Sequence, residues 1–484
     1  MNEKLNDALN QISDQYLEEA AKPLKKKQFY WLGTIAAILI IALLAGILGR
    51  TFSLPGSTNP SVSVPSFLGS NTQYDNLLAA PIYPKMVKYP QGEDGSYADW
   101  NQSQQEQYDQ PKGYADNLND FFSSSIRIFL QGEGNQVYSP VNVYMAMAML
   151  AECVDGTSRQ QILELLGAGS ITELRRQASR VWNAHFSDDG LTTLLLANSV
   201  WMDNAYDFNQ DTVNTLANSY YASSFYGDLG TEEMDQQLRQ WLNDYSGDLL
   251  QEQALNTKLD ADSAAALAST IYFSAQWEEK FFENQTTQAV FHSPDEDIAA
   301  WFMHRTFSEK LYFQGENYGA VSLRLSGDNN MWLFLPEEGI TAGQLLESGD
   351  FLSMLQNPEK WEQQTYCKVH LSMPKLDIRA QNDLIAGMKK LGITDIFDSQ
   401  TADLSGLIAP TFDGNAYVGQ IDHAARVTVD EEGCIAAAYI VIDMPTDGMP
   451  QERDDIYFTL DRPFIFVITS RDNLPLFAGV VNTP

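Results

Sequence analysis

The hydrophobic pattern changes character along the chain. It opens polar over residues 1–28, with Lys25-Lys26-Lys27 near the end, and then runs without a charge from 29 to 49, FYWLGTIAAILIIALLAGILG. Those 21 residues are enough to cross a hydrocarbon core as a helix. From 50 to 113 the pattern dissolves into Ser, Pro, Gly, Asn, Gln and Tyr. Such a composition buries too little surface to offset chain entropy, so this stretch reads as a spacer. Within it only 77–89 (LLAAPIYPKMVKY) is apolar enough to dock on a folded body.

A folded body is expected over 114–484. Leu118, Phe121, Phe122, Ile126 and Phe129 recur at helical spacing. Ser139-Pro140 then opens a second helix, with serine as N-cap and proline in the first turn, and 159–168 forms a third. Helices are also predicted at 209–223 and 231–245, and strands at 193–202 and 264–277. From 289 onward strand patterns dominate, at 318–325, 330–335, 366–372, 424–429, 457–460, 464–469 and 476–481, interrupted by a helix at 381–391. Helices early and strands late, without regular βαβ alternation, give an α+β fold.

One stretch does not fit an ordinary packed domain. Residues 427–442, VTVDEEGCIAAAYIVI, begin as an alternating strand, break at Glu431-Glu432-Gly433, and continue as small and β-branched residues without a charge. A turn-rich run, DMPTDGMP, follows directly. In a strand, Cys434, Ala436, Ala438, Ile440 and Ile442 would share one face, small side chains first and larger ones beyond. The sequence therefore reads as a loop in one state and a strand in another. The alternative is an edge strand followed by a turn.

Charge narrows the partners. The net charge is −34 and the pI about 4.3, which argues against nucleic acid or an anionic membrane surface as partner and fits a monomer kept apart by self-repulsion. Cys153, Cys367 and Cys434 show neither metal-ligand spacing nor an even disulfide pattern. The lysines precede the apolar run and only Arg50 follows closely, so the positive-inside rule puts 1–28 in the cytoplasm and the body outside. A signal anchor fits better than a buried helix or a cleaved signal peptide, whose apolar region is shorter and whose leader is briefer. The resulting expectation is a single-pass protein of the cell membrane, on a bacterial surface rather than an animal secretory one. No G-x-S-x-G elbow, H-E-x-x-H site or Walker loop is present, so no catalytic residue, metal or cofactor is expected.

From about 117 to 484 the chain resembles a serpin. The matching stretches occur in the family's order: VYSPVNVYMAMAMLAECVDGTSRQQILELL (137–166), LANSVWMD (196–203), STIYFSAQWEEKF (269–281), NMWLFLPEEG (330–339), KVHLSMPKLDI (368–378), LGITDIFDSQTADLSGL (391–407) and DRPFIFVITSRDNLPLFAGVVNTP (461–484). The resemblance implies three β-sheets, eight or nine helices and an exposed reactive loop. It also implies suicide-substrate inhibition: a serine protease cleaves the loop, forms a covalent acyl complex, and is dragged across as the freed segment enters the large sheet.

Site residues follow from the same resemblance. The hinge would comprise Glu431, Glu432, Gly433, Cys434, Ala436, Ala437 and Ala438. A polar cluster beneath the insertion path would use Ser139 and His423, with Asn142 where a serine is expected and Ser269 where an asparagine is expected, a compensating exchange. Trp277 would pack near the loop's entry. Counting 16 residues from Glu431 places the cleaved bond after Asp447, before Gly448, with Thr446 and Met449 as neighbouring candidates. Asp447 would suit an Asp-preferring protease; Thr446 or Met449 would suit an elastase- or subtilisin-like enzyme, the better match outside the cell. The alternative is a non-inhibitory member of the fold used for surface binding or adhesion.

Overall fold

The computed structural model describes residues 74–434 and 454–484, apart from 75, 91–95, 248, 262, 410–415 and 420. The apolar run at 29–49 and the segment 435–453 lie outside the described residues. Among the described residues no helix is long and apolar enough to cross a membrane. All described residues belong to the compact unit Ser61–Pro484.

Two hydrogen-bonded sheets organise these residues. The first runs, edge to edge, Leu77–Ala79, Ala222–Gly227, Thr192–Asp203, Ala265–Gln276, Gly433–Cys434, Asp422–Val429 and Leu376–Asp383. The second runs Asp455–Thr459, Gln364–Pro374, Asp297–Gln314, Tyr318–Leu325, Asn329–Pro336, Phe464–Thr469, Pro475–Val481 and Gln136–Tyr138. Three sheets were expected. The 18-residue strand Asp297–Gln314 merges two of them, because it pairs with Gln364–Pro374 along most of its length and with Thr287–His292 and Tyr318–Leu325 at its two ends.

The core lies around the helix Pro140–Cys153, in which every residue but Ala146 is buried. A helix apolar on all sides must be enclosed, and this one packs between the strands Ala265–Gln276 and Pro475–Val481. Its start is fixed as the sequence indicated: the Ser139 hydroxyl accepts the Asn142 N–H and proline occupies the first turn. Thr192–Asp203 is buried at all twelve positions, so both of its faces are covered and no polar–apolar alternation marks it.

Helices number ten from Leu118 onward among the described residues, above the eight or nine expected. Two of them, Ala342–Ser348 and Asp350–Gln356, are short pieces divided at Gly349, whose φ of 68° ends one and starts the next. The helix expected at 381–391 is shorter than its pattern suggested. Leu376–Asp383 is an edge strand paired with Asp422–Val429, and only Ile385–Lys390 is helical. Leu376, Ile378 and Ala380 already alternate, as a strand requires.

The stretch ahead of the body is ordered against it. Leu77–Ala79 adds an antiparallel strand to the edge strand Ala222–Gly227. Tyr83 stacks on Trp182, with centroids 5.6 Å apart, and lies beside Phe186 and Tyr221. The polar run at 97–108 forms a helix, Tyr97–Tyr108, where only a linker was read. Its docking face repeats every four residues: Trp100 Nε1–H and Gln104 Nε2–H donate to Asp189 Oδ2, and Tyr108 receives the Arg471 guanidinium at 4.4 Å. Truncating Tyr83→Ala removes the centre of the aromatic stack and is expected to cost about 2 kcal/mol, half-buried as the ring is. A fall in the urea midpoint with an unchanged slope would show it.

Candidate functional site

The first sheet has a gap. Among the described residues, Ala265–Gln276 and Asp422–Val429 share no ladder with each other, and between them stands only the two-residue strand Gly433–Cys434. Gly433 pairs with Gln276, and Cys434 pairs with Ala275 on one side and Val429 on the other. Below Cys434, towards the far ends of these strands, lies a cavity of about 120 Å³. Asn142, Leu238, Ala266, Ala268, Ile421 and His423 are among its lining residues.

The hinge is held by local turn chemistry and by distant partners. The Asp430 carboxylate accepts the N–H groups of Glu432 (2.9 Å) and Gly433 (3.3 Å), closing a tight turn. Gly433 adopts φ +154°, and a Cβ there would meet the Ala275 carbonyl oxygen at 2.2 Å. Only glycine admits so close an approach to the neighbouring strand. Trp277, itself buried, clamps the turn twice: its indole N–H donates to the Asp430 carbonyl (2.8 Å) and its backbone N–H to the Glu432 carbonyl (3.0 Å).

Glu431 is only 5% exposed. Burial by itself pushes its carboxyl pKa up, but Lys375 Nζ at 2.6 Å and the Thr286 hydroxyl at 2.7 Å reverse this and hold it below the ordinary value. Neighbouring Glu432 pairs with Lys280. Lys375, Thr286 and Lys280 were not singled out from the sequence. They lie 56 to 152 positions away, and no local signal marks them.

Beneath the gap the polar residues named from the sequence meet. His423 Nε2 accepts the Ser139 backbone N–H at 3.1 Å, which fixes the neutral ring with its proton on Nδ1. Burial lowers its pKa to about 4, and the ring stands edge-on to Tyr138. Ser269 Oγ lies 2.5 Å from the Asn142 side chain and 2.8 Å from Asn198 Oδ1. A hydroxyl has one proton to donate and the near Asn142 atom is Oδ1, so every partner is satisfied when the Asn142 amide is turned to bring its otherwise unpartnered Nδ2–H to Ser269 Oγ while Ser269 donates to Asn198. Asn198 in turn donates to the Tyr220 carbonyl at 3.0 Å. The serine and asparagine that stand exchanged in sequence are therefore direct partners. Asn198 is the member that sequence reasoning missed, although a buried asparagine within an apolar strand was its signal.

The three cysteines are free and buried. Among the described residues no group of three or more His, Cys, Asp or Glu is placed to hold a metal ion. Ala436, Ala437, Ala438, Thr446, Asp447, Gly448 and Met449 lie outside the described residues.

The match to known proteins decides the family. The family model described as Serpin (serine protease inhibitor) covers residues 117–484. The chain belongs to the serpin family. It is 25% identical to Serpin B7 of Homo sapiens over 372 residues, spanning 73% of this chain and 94% of the relative. It is 28% identical over 365 residues to leukocyte elastase inhibitor A of Rattus norvegicus, spanning 72% and 93%. Among solved structures, the native state of the thermophilic serpin tengpin matches with a TM-score of 0.69 at 22% identity, covering 84% of this chain and all of that one. At that identity the likeness is one of fold. Serpins are protease inhibitors rather than catalysts, and in this serpin the gap, the turn and the polar cluster occupy one continuous path down the first sheet.

Two outcomes follow from this geometry. Gly433→Ala forces the turn out from between its neighbours and is expected to destabilise the uncleaved serpin by about 2–3 kcal/mol, read as a lowered unfolding midpoint. Acid acts through His423 and His185, both buried and both with lowered pKa. The folded state then binds fewer protons than the unfolded chain. Stability is thus full above about pH 6.5 and falls as the pH drops towards 4, by up to about 1.4 kcal/mol per pH unit for each histidine. Glu431, with its lowered pKa, adds a further loss below about pH 4.5. Replacing His423→Gln keeps an acceptor for Ser139 and should flatten the upper part of that profile in denaturation measured from pH 8 to 4.

Proposed function

We propose that this serpin is a membrane-anchored, extracellular suicide-substrate inhibitor of serine proteases. The observation that carries the reading is the strand Gly433–Cys434, already paired on both sides at the head of two strands that share no ladder among the described residues. Its register can be extended. Continued antiparallel to Ala265–Gln276, Ala436 would face Phe273, Ala438 would face Ile271 and Ile440 would face Ser269. On the other side Ala436 would face Val427, Ala438 would face Ala425 and Ile440 would face His423. The advancing strand would reach the polar cluster at Ile440, and its first neighbour would run out at Ala265, opposite Met444.

The chemistry belongs to the protease. Its serine oxygen attacks the carbonyl carbon of the reactive bond, among Thr446, Asp447, Gly448 and Met449, while the amine side leaves with a proton. The acyl ester holds the protease on the new C-terminus of the bait arm. Cleavage frees that arm to continue the strand begun at Cys434. Ten further residues, Ile435 to Met444, span about 33 Å at ~3.3 Å each, so the bound protease is carried most of the length of the sheet before water can release it. The drive is the pairing and burial that the uncleaved fold lacks, a kinetic trap. An elastase- or subtilisin-like protease suits Thr446 or Met449; no nucleic acid is implied, and the net charge favours a monomer. The run at 29–49 would hold the chain in the membrane with 1–28 in the cytoplasm. Its lysine-flanked leader and unpaired cysteines favour a bacterial surface.

Incubating the chain with a panel of serine proteases should give an SDS-resistant adduct with at least one elastase- or subtilisin-like enzyme. The Ala438→Arg variant should be cut as fast but yield almost no adduct, because a charged side chain would have to enter between Ile271 and Ala425. Simple cleavage between Asp443 and Arg453 by every protease, without adduct or gain in thermal stability, would instead favour a fold used for surface binding or adhesion. Membrane attachment is tested separately: washed cells should retain the chain, whereas release of a form beginning near residues 50–60 would show that the apolar run is removed.

A further inference from the structure

Exposed apolar side chains are concentrated in one short stretch of the chain. Among the described residues twelve large hydrophobic side chains are exposed, and five of them, Leu77, Leu78, Ile82, Val87 and Tyr97, fall between 77 and 97. Burial alternates along this stretch. Ala79, Tyr83 and Met86 pack against the core, while Leu78, Ala80, Ile82, Lys85 and Val87 face outward, Ile82 being 89% exposed. An extended chain turns successive side chains to opposite faces, so the outward set forms a stripe. From Leu78 to Val87 it is at most about 30 Å long, at 3.3 Å per residue.

Two features set this stripe apart from scattered surface hydrophobics. Leu77–Ala79 is the outermost strand of the first sheet, and among the described residues its outer edge is unpaired. Such edges are ordinarily blunted by charge, yet this one carries Leu-Leu-Ala. The second feature is the local charge. From Asn76 to Pro90 there is no carboxylate, in a chain that has 64, and the only charged residues are Lys85 and Lys88. Lys88 is tied to Asp188 at 2.8 Å, whereas Lys85 stands exposed between Ile82 and Val87. A lysine stem can lie along apolar surface while its ammonium group reaches water or a headgroup.

We propose that this stripe lies in the headgroup layer of the membrane that holds the chain, with Leu78 and Ile82 reaching the acyl boundary. The contact rests on the membrane-anchored reading above and adds the orientation of the body on the bilayer. The tether supports it, because the tether enters at the stripe itself. Tyr74, three residues before Leu77, is fixed to the body by its hydroxyl, which donates to Asp244 at 3.0 Å. Residues 50–73 separate it from the apolar run by at most about 90 Å of chain. A surface kept within reach in this way needs little intrinsic affinity, because its binding is intramolecular. The net charge of −34 opposes the approach of acidic faces to anionic headgroups, and the acid-free side meets no such opposition. Four strand spacings of about 4.8 Å separate Leu77–Ala79 from Gly433–Cys434, so the hinge stands about 19 Å in from this edge, clear of the lipid.

The test uses the full chain reconstituted in phosphatidylcholine vesicles, with Ile82→Cys or Val290→Cys carrying an environment-sensitive fluorophore; the native cysteines are buried. Val290, exposed on the strand Thr287–His292, is the control. Flotation first shows whether the chain stays with the vesicles. The label at position 82 should then shift to the blue and be quenched about threefold by lipids carrying a nitroxide near the headgroup, while the label at position 290 is unaffected. Adding Leu78→Asp should remove most of that quenching and leave the unfolding temperature unchanged. A retained chain whose label at position 82 is quenched no more than the one at position 290 would overturn the membrane contact alone. A blue shift that grows with protein density and ignores the nitroxide would assign the stripe to a second copy and overturn it as well. If the chain does not float with the vesicles, the anchored reading falls and takes the contact with it.

Discussion

The rest of the fold is arranged around a ladder that is missing. Two long strands in the middle of a sheet ordinarily satisfy each other, yet among the described residues Ala265–Gln276 and Asp422–Val429 are joined only through Gly433 and Cys434. Backbone groups facing an unfilled gap are costly when water is excluded, and apolar side chains around a cavity forfeit contacts they would otherwise make. The protein tolerates this because the flanks are stiff. The fully buried strand Thr192–Asp203 backs one side, and the enclosed helix Pro140–Cys153 supports the floor.

The floor of the gap is polar for a physical reason. A purely apolar seam would close by collapse, and parting it again would expose that surface to water. Ser139, His423, Asn142, Ser269 and Asn198 instead join the helix to strands on both sides through directional bonds. Such bonds can be exchanged one for another at modest net cost, whereas leaving one unmade in a buried site is expensive. The head of the gap follows the same logic with charge: Glu431 is buried but answered by Lys375 and Thr286, and the turn that follows it is clamped by Trp277.

Much of this was readable in the residues. Ser139-Pro140 announced a helix start, and Glu431-Glu432-Gly433 announced a break. Ser139, Asn142, Ser269 and His423 converge although they come from distant parts of the chain. What escaped was structure whose pattern serves two masters. Asp297–Gln314 pairs with different strands along its length and is half-exposed, so no single alternation survives in its sequence. The helix Tyr97–Tyr108 docks through hydrogen bonds and one aromatic–cation contact rather than an apolar stripe, which leaves composition looking like a linker. Partners such as Lys375 and Asn198 are defined by three-dimensional proximity alone.

The register fixed by Gly433 and Cys434 has a consequence in terms of parity. Side chains in a strand alternate between faces, so a chain fed into the gap is read in steps of two from Cys434, whose thiol faces the core. In that reading Ala436, Ala438 and Ile440 point inward, and Ile435, Ala437 and Tyr439 point outward. Inserting or deleting one residue just after Cys434 would exchange the two sets. With an insertion, Ile435 and Ala437 would be turned inward one step late; with a deletion, Tyr439 would come to lie opposite Ile271 on the inward face, in the place of Ala438. On the proposed insertion the hinge would set a frame, and length between hinge and bait would be constrained in the way a frame is: by even and odd, as well as by how many.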